Sequence, residues 1–143
     1  MQSKLLHDEG RKTYVLVFDT GDEVIAGLTE FAKQHDLDAS GLTALGAFSD
    51  VVLGYFDLDR KAYKRTRLDE QVEVLSLVGT IPMNGDEPKV HAHIVVGKSD
   101  GTAHGGHVME AHVRPTLEVI LEESPAHLRR ETDEETGLAL ISL

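Results

Sequence analysis

Three histidines, His91, His93 and His107, are the residues whose type and spacing best suit metal chemistry. In the segment Lys89–Gly97, apolar residues alternate with His91 and His93, which is the pattern of a β-strand with one buried face. On such a strand both imidazoles project from the other face, ~6.5–7 Å apart along the strand. The sequence therefore predicts two histidines presented side by side.

The third histidine, His107, reaches the same place only if the chain turns back in one particular register. Ser99-Asp100-Gly101 is typical of a three-residue hairpin loop with glycine in the left-handed conformation, and this loop pairs Lys98 with Thr102. Counting back along the two strands, His93 then lies directly opposite His107 on the same face. We expect the three imidazoles to converge.

The length of this loop decides whether the site forms. A two-residue Asp100-Gly101 turn would place His107 opposite Ile94, on the wrong face, unless a bulge at Gly105-Gly106 restored the register. We interpret Gly105-Gly106 as allowing close approach of two strands rather than entry of a ligand.

Three convergent histidines predict one divalent metal ion per chain. Opposed residues on paired strands have Cβ atoms ~4.5–5.5 Å apart, which lets imidazoles reach a common ion at Zn–N distances of ~2.0–2.1 Å. Zinc fits this set best, with nickel, copper, iron or cobalt as alternatives. A water, a substrate or a carboxylate would complete the coordination. In the competing interpretation, the histidines bind one another or line a subunit interface without metal.

Glu73 is the candidate for the carboxylate and the one candidate catalytic residue. It lies in an otherwise apolar strand pattern, where a carboxylate is costly unless it is paired, hydrogen-bonded or directed at a metal. It could serve as fourth ligand or general base. The alternative is an edge-strand residue that faces solvent.

The elements that must position these residues predict a single α+β domain over residues 1–143. From Asp22, apolar residues recur at helical spacing and indicate one main amphipathic helix to about His35, capped by Asp22 or Thr20, with Glu23 in its first turn. Strand patterns make up most of the rest, as antiparallel or mixed β-sheets. They lie at Thr13–Phe18, Leu42–Phe48, Val51–Asp57, Ala62–Leu68, Val72–Ile81, Lys89–Gly97, Ala103–Val113 and Leu117–Glu122.

The two ends of the chain have different patterns. Residues 1–11 are polar and predict a flexible N-terminus, and residues 124–137 predict an acidic loop. The apolar residues 138–143 then predict a short strand that returns to the core or pairs with a neighbouring subunit.

Charge and composition narrow the classes of partner. The formal net charge of −11 disfavours DNA binding by the isolated chain, because DNA is bound by neutralising its phosphates. The basic run is interpreted as a solvated edge strand and consists of Arg60, Lys61, Lys64, Arg65 and Arg67. The chain has no cysteine and no apolar run near the ~20 residues that span a bilayer. We expect a cytoplasmic protein without a membrane partner.

Several segments resemble the plants-and-prokaryotes-conserved (PPC) domain family. They are Gly46–Asp57, Glu73–Ile81, Pro88–His93 and Asp100–His107, and the resemblance covers nearly the whole chain. It implies an α+β fold, a homotrimer and a proposed metal site at His91, His93 and His107. Plant members carry a separate AT-hook that binds DNA, but this sequence has no Arg-Gly-Arg-Pro core, so that property does not transfer.

The PPC fold is also similar to that of acetolactate decarboxylase, in which a zinc ion held by three histidines polarises a keto acid. By that analogy Glu73 would be the acid/base, and Arg65, Arg67 or Arg114 would bind the substrate carboxylate. A shared fold does not by itself imply a shared site.

Three functional hypotheses follow. We favour a trimeric, zinc-binding module of unassigned activity that regulates, or binds a small molecule or protein. The alternative is a zinc-dependent lyase or hydrolase acting on a small acid, in which the ion acts as Lewis acid. A further alternative, based on the family resemblance, is a DNA-associated regulator.

Overall fold

The computed structural model describes residues 1–142, which form one helix and ten strands. In chain order these are β1 Gln2–Asp8, β2 Lys12–Asp19, α1 Val24–Gln34, β3 Ala39–Asp57, β4 Ala62–Leu68, β5 Val72–Asn84, β6 Glu87–Pro88, β7 His91–Gly97, β8 Ala103–Glu123, β9 Arg129–Thr132 and β10 Ala139–Ser142. The prediction of a single α+β domain with one main helix is confirmed.

The sheet contains a closed circuit of strands that carries the histidines. Strand β3 pairs with both β5 and β8, and β7 also pairs with both β5 and β8. Strand β2 continues the sheet from β8, and β1 follows β2. All these pairings are antiparallel, whereas β9 pairs with β5 in parallel, so the sheet is mixed.

Two long strands replace four predicted short ones. The breaks expected after Phe48 and after Val113 are bends within β3 and β8, where the register between these strands shifts at three places. At one bend Gly46 has φ +155°, and a Cβ atom there would lie 2.2 Å from the carbonyl oxygen of Thr116. Bulges bend a strand while it stays paired, so turn-like residues here do not end it.

Helix α1 packs on the sheet through its apolar side, with Val24, Leu28, Phe31 and Ala32 buried. The predicted caps, Asp22 and Thr20, are wrong: the N-cap is Glu23, whose carboxylate accepts hydrogen bonds from the backbone N–H groups of Ile25 and Ala26.

Asp22 and Glu23 both hold the start of the helix against neighbouring segments. Asp22 accepts a hydrogen bond from the Asp19 backbone N–H and pairs with the N-terminal amine. Glu23 also accepts a hydrogen bond from the Ala111 backbone N–H of β8. The carboxylate of Asp22 therefore fixes the preceding turn rather than the helix end.

Each end of the chain contains a strand that the sequence analysis did not predict. The flexible N-terminus expected over residues 1–11 is instead largely β1, paired with β2 through backbone hydrogen bonds although its side chains are exposed. The acidic loop expected over residues 124–137 contains β9, which forms a hairpin with β10. The predicted terminal strand is β10, and Leu143 lies outside the described residues. We name β9 and β10 together the C-terminal hairpin.

Strand β4 confirms the prediction of a basic, solvated edge strand. It pairs with β3, and its residues from Ala62 to Arg67 are exposed, whereas Leu68 is buried. Within residues 1–142, no helix is both long and apolar enough to cross a bilayer.

Candidate metal centre

The hairpin between β7 and β8 has the register that brings the histidines together. The backbone N–H of Lys98 donates to the carbonyl of Thr102 at 2.9 Å, and Gly101 has φ +81°. His93 pairs with His107 across this hairpin. The three-residue loop predicted from the sequence is therefore confirmed, and with it the shared face of His93 and His107.

The three imidazoles form a compact cluster. One ring nitrogen from each of His91, His93 and His107 lies within 4.8 Å of the others. The Nε2 atoms of His91 and His93 are 3.2 Å apart, and the ring centroids of the three pairs are separated by 5.0, 5.1 and 5.5 Å. This is the spacing of ligands around a single ion, and small side-chain rotations would bring all three to coordination distance.

Burial makes His107 a suitable ligand. Its Nδ1 atom is buried and has no hydrogen-bond partner within residues 1–142, and a buried polar atom of this kind is rare unless water or an ion satisfies it. Burial, followed by the neighbouring charges of His91 and His93, lowers the pKa of His107 to about 4. The imidazole is therefore neutral at neutral pH, which is the form that coordinates metal. The donor set fits a divalent ion.

Glycines allow the strands below the cluster to approach closely. A Cβ atom on Gly106 would lie 2.7 Å from the carbonyl oxygen of Gly54, and one on Gly54 would lie 2.9 Å from both Met109 Sδ and Tyr63 Cδ1. Gly106 therefore has the role predicted for it, close approach of β8 to β3. The ring of Tyr63 also lies beside His107, with centroids 5.1 Å apart.

A cavity of about 640 Å³ opens beside the histidines. Strands β3, β4, β7 and β8 form one side of it, and the C-terminal hairpin forms the other. Its apolar lining comes mainly from Phe56, Tyr63, Val90, Met109, Leu138 and Leu140. Lys89 and Arg130 are its charged residues, and no aspartate or glutamate of residues 1–142 lines it.

Arg130 is a site residue that the sequence analysis missed. Its Nη2 atom lies 2.8 Å from His91 Nδ1 and 3.4 Å from Thr80 Oγ1, and Nη1 donates to the carbonyl of Ala139 at 2.6 Å. Burial, followed by the positive charges of Arg130 and His93, lowers the pKa of His91. The arginine lies in the segment interpreted as an acidic loop, and no periodicity marks it as facing a cavity.

The other candidates from the sequence lie away from this cluster. Glu73 is exposed and pairs with Gly97, whereas His91 and His93 pair with Thr80 and Val78 further along β5. Glu73 does not line the cavity. Glu73 therefore faces solvent, as in the alternative interpretation, but β5 is paired there with both β3 and β7 and is not an edge strand.

The three arginines considered as carboxylate ligands do not line the cavity either. Arg65 is exposed on β4, Arg114 is exposed beside Pro115, and Arg67 pairs with Asp50 at 3.2 Å. The analogy with acetolactate decarboxylase would place one of these three arginines beside the histidines, but the arginine found there is Arg130.

A second group of possible ligands, Asp50, Glu110 and His112, lies elsewhere on the sheet. One oxygen of Asp50 lies 3.1 Å from His112 Nδ1 and 3.2 Å from Arg67 Nη2, and the other accepts from Ser49 Oγ at 3.0 Å. Both carboxylate oxygens are thus already hydrogen-bonded, and we interpret the group as an ion-paired network that joins β3, β4 and β8. His112 lies outside the three-histidine cluster.

Comparison with known proteins identifies the family to which most of the chain is similar. The model of the Plants and Prokaryotes Conserved (PCC) domain, the family abbreviated PPC above, matches residues 7–125. A structure from Archaeoglobus fulgidus, described as a metal-containing protein, is 34% identical and superposes with a TM-score of 0.86 over 98% of this chain and 99% of that one. A candidate DNA-binding protein from Bacteroides thetaiotaomicron gives a TM-score of 0.90 at 24% identity, over 98% and 96% of the two chains.

Two further similarities are more distant or partial. A Staphylococcus aureus protein described as similar to alpha-acetolactate decarboxylase shares the fold, with a TM-score of 0.58 at 13% identity over 80% of this chain and 53% of that one. The bifunctional protein GlmU of Synechococcus sp. (strain JA-3-3Ab) is 30% identical over 129 residues, which is 88% of this chain. The chain spans 20% of the length of that relative.

Proposed function

Because the chain belongs to the Plants and Prokaryotes Conserved domain family, we propose that it is a metal-binding module in which His91, His93 and His107 hold one divalent ion per chain. Zinc is the expected ion, since three neutral imidazoles with an open position suit it. The module binds a small-molecule or protein partner at the open position. The single observation that carries the proposal is the convergence of the three imidazoles, each with a ring nitrogen within 4.8 Å of the others.

Two further observations support this proposal. A relative with 34% identity over nearly its whole length is described as metal-containing. The cavity beside the histidines leaves room for a ligand next to the ion, and its volume is in the range of small-molecule sites, ~300–1,000 Å³.

Metal analysis of untagged protein tests the proposal. Purified wild type should carry about one zinc ion per chain by mass spectrometry, because all three imidazoles are needed for tight binding. The variant His93→Ala should lose the metal, since it removes one of the three ligands. His93 is chosen because it is the most exposed of the three, so its replacement disturbs the core least. His104→Ala is the matched control, because His104 lies on the same hairpin opposite Val96 and outside the cavity.

The outcomes of this experiment separate the two interpretations of the cluster. Metal in wild type and His104→Ala but not in His93→Ala supports the proposal. Wild type that stays metal-free after loading and dialysis contradicts it, and would leave the histidines as a hydrogen-bonded group.

A zinc-dependent lyase or hydrolase acting on a small acid is the alternative. The open cavity and the fold shared with the acetolactate decarboxylase-like protein are compatible with it. Its weakness is the missing acid/base: Glu73 lies outside the cavity, and no carboxylate of residues 1–142 lines it. A binding role needs no such group.

A DNA-associated role has less support. It rests on the family resemblance and on the description of the Bacteroides protein, whose 24% identity shows the fold alone. The net charge of −11 opposes binding to phosphates, and the arginine Arg67 of the exposed basic strand β4 is paired with Asp50 and Asp69.

A further inference from the structure

The cavity differs in charge from the rest of the molecule. The chain has 25 acidic residues against 14 lysines and arginines, yet the charged residues that line the cavity are Lys89 and Arg130. A bound divalent ion would add to this positive charge. A concave site with one sign of charge concentrates ligands of the opposite sign. The ligand suited to this cavity is therefore an anion.

Arg130 is a partly buried cation without a carboxylate partner among residues 1–142. All its hydrogen-bonding contacts are neutral groups: the Ala139 carbonyl, Thr80 Oγ1 and His91 Nδ1. Its Nε atom is buried without any partner. Burying a charge is costly unless it is paired, and a guanidinium matches the two oxygens of a carboxylate. Arg130 is thus held in place with donor capacity unused.

The rest of the lining indicates what the anion carries. Phe56, Met109, Leu138 and Leu140 give the cavity a mainly apolar wall, part of which comes from the C-terminal hairpin and its connecting turn. A fully hydrated inorganic anion gains nothing from such a wall. A carboxylate with an apolar body uses both features, the guanidinium for its oxygens and the wall for its carbon skeleton.

We propose that the cavity binds a small carboxylate with an apolar body and that Arg130 is the residue that selects the carboxylate. This inference rests on the proposed function, because a bound ion would add positive charge to the cavity. The C-terminal hairpin is then a specificity element, since it supplies Arg130 and part of the apolar wall.

Titration calorimetry with benzoate and its neutral isostere benzamide tests the inference. Zinc-loaded wild type should bind benzoate more tightly than benzamide. Arg130→Gln should bind benzoate roughly tenfold to a hundredfold more weakly, the loss expected for one charged hydrogen-bonding partner. Arg129→Gln is the matched control, because Arg129 is adjacent on β9 but exposed and outside the cavity. Arg130→Lys keeps the charge without the planar fork and should bind with intermediate affinity.

The metal content of each variant, measured on the same samples, separates the two proposals. Metal-free wild type after attempted loading contradicts the proposed function. Zinc-loaded wild type that binds benzoate and benzamide equally, or Arg130→Gln that binds benzoate as tightly as Arg129→Gln, overturns the inference while the metal site stands. Chelator-treated wild type should bind benzoate more weakly than zinc-loaded wild type, because the positive charge of the ion is lost, and equal affinity with and without zinc would overturn the contribution of the ion.

Discussion

At the scale of single residues, Gly106 shows how closely the site depends on backbone packing. Replacing it with alanine places a Cβ atom 2.7 Å from the Gly54 carbonyl oxygen, so β3 and β8 must move apart next to His107. We expect Gly106→Ala to lower the free energy of unfolding by about 1–3 kcal/mol, as for other overpacked sites. Urea unfolding checks this. Gly41→Ala on β3 is the control, because no atom lies within 4 Å of its added Cβ. Equal stability of the two variants would contradict the prediction.

The histidine cluster could be predicted from the sequence, but its arginine could not. Alternation places His91 and His93 on one face, and the length of one loop fixes the position of His107, so both facts are local. Arg130 reaches His91 because β9 pairs in parallel with the end of β5, through Met83 and Arg129. A pairing between strands so far apart along the chain leaves no pattern in the sequence of either strand. The sequence also left the solvent-facing position of Glu73 open, because the residues that pair with Glu73 are distant in the sequence.

At the scale of elements, the Asp50 network joins β3, β4 and β8 and makes their association pH-dependent. Burial raises the pKa of Asp50, but hydrogen bonds from His112 and Ser49, with the charges of His112 and Arg67, outweigh it and leave the pKa below 3.8. A carboxyl group whose pKa is lower in the folded state stabilises the fold above its unfolded pKa. That stabilisation is lost as the pH falls from about 3.8 to below the pKa that Asp50 has in the folded protein.

The variant Asp50→Asn removes this charge. At neutral pH it should reduce the free energy of unfolding by roughly 1–3 kcal/mol, because charged hydrogen bonds are lost. The difference from wild type should shrink as the pH falls below about 3.8, where wild type also loses the charge. Chemical unfolding at a series of pH values measures this, with the exposed Asp86→Asn as control. A difference that stays constant down to the lowest pH would rule out the network as its source.

The boundaries of elements were predicted where the chain has ordinary turns and not where it has bulges. Strand β4 was predicted to the residue, and α1 to within two residues at its start. The long strands β3 and β8 were divided in two because Gly46, Asp50 and Pro115 are typical turn residues. In the structure these positions bend the strands without ending them, and pairing between β3 and β8 continues on both sides of them.

At the scale of the whole molecule, a row of side chains on one face of the sheet, two of them large and apolar, ends at the histidine cluster. Ile120 pairs with Thr43, Thr43 with Val78, and Val78 with His93, so these side chains share one face. Ile120 is 43% exposed and Val78 is 52% exposed. Exposed large apolar side chains on one face of a sheet are typical of an interface between subunits. Together with the family resemblance, this face supports the proposal of a homotrimer.

Light scattering after size exclusion tests that assembly. Wild type should elute with three times the 15.7 kDa of one chain, because burial of this face offsets the cost of association. Val78→Asp places a charge in the centre of the row and should shift the protein to monomers at micromolar concentration. Leu6→Asp is the control, since Leu6 has the same 52% exposure but lies on β1, away from the row. Monomeric wild type, or an intact trimer in Val78→Asp, would mean that subunits do not meet through this face.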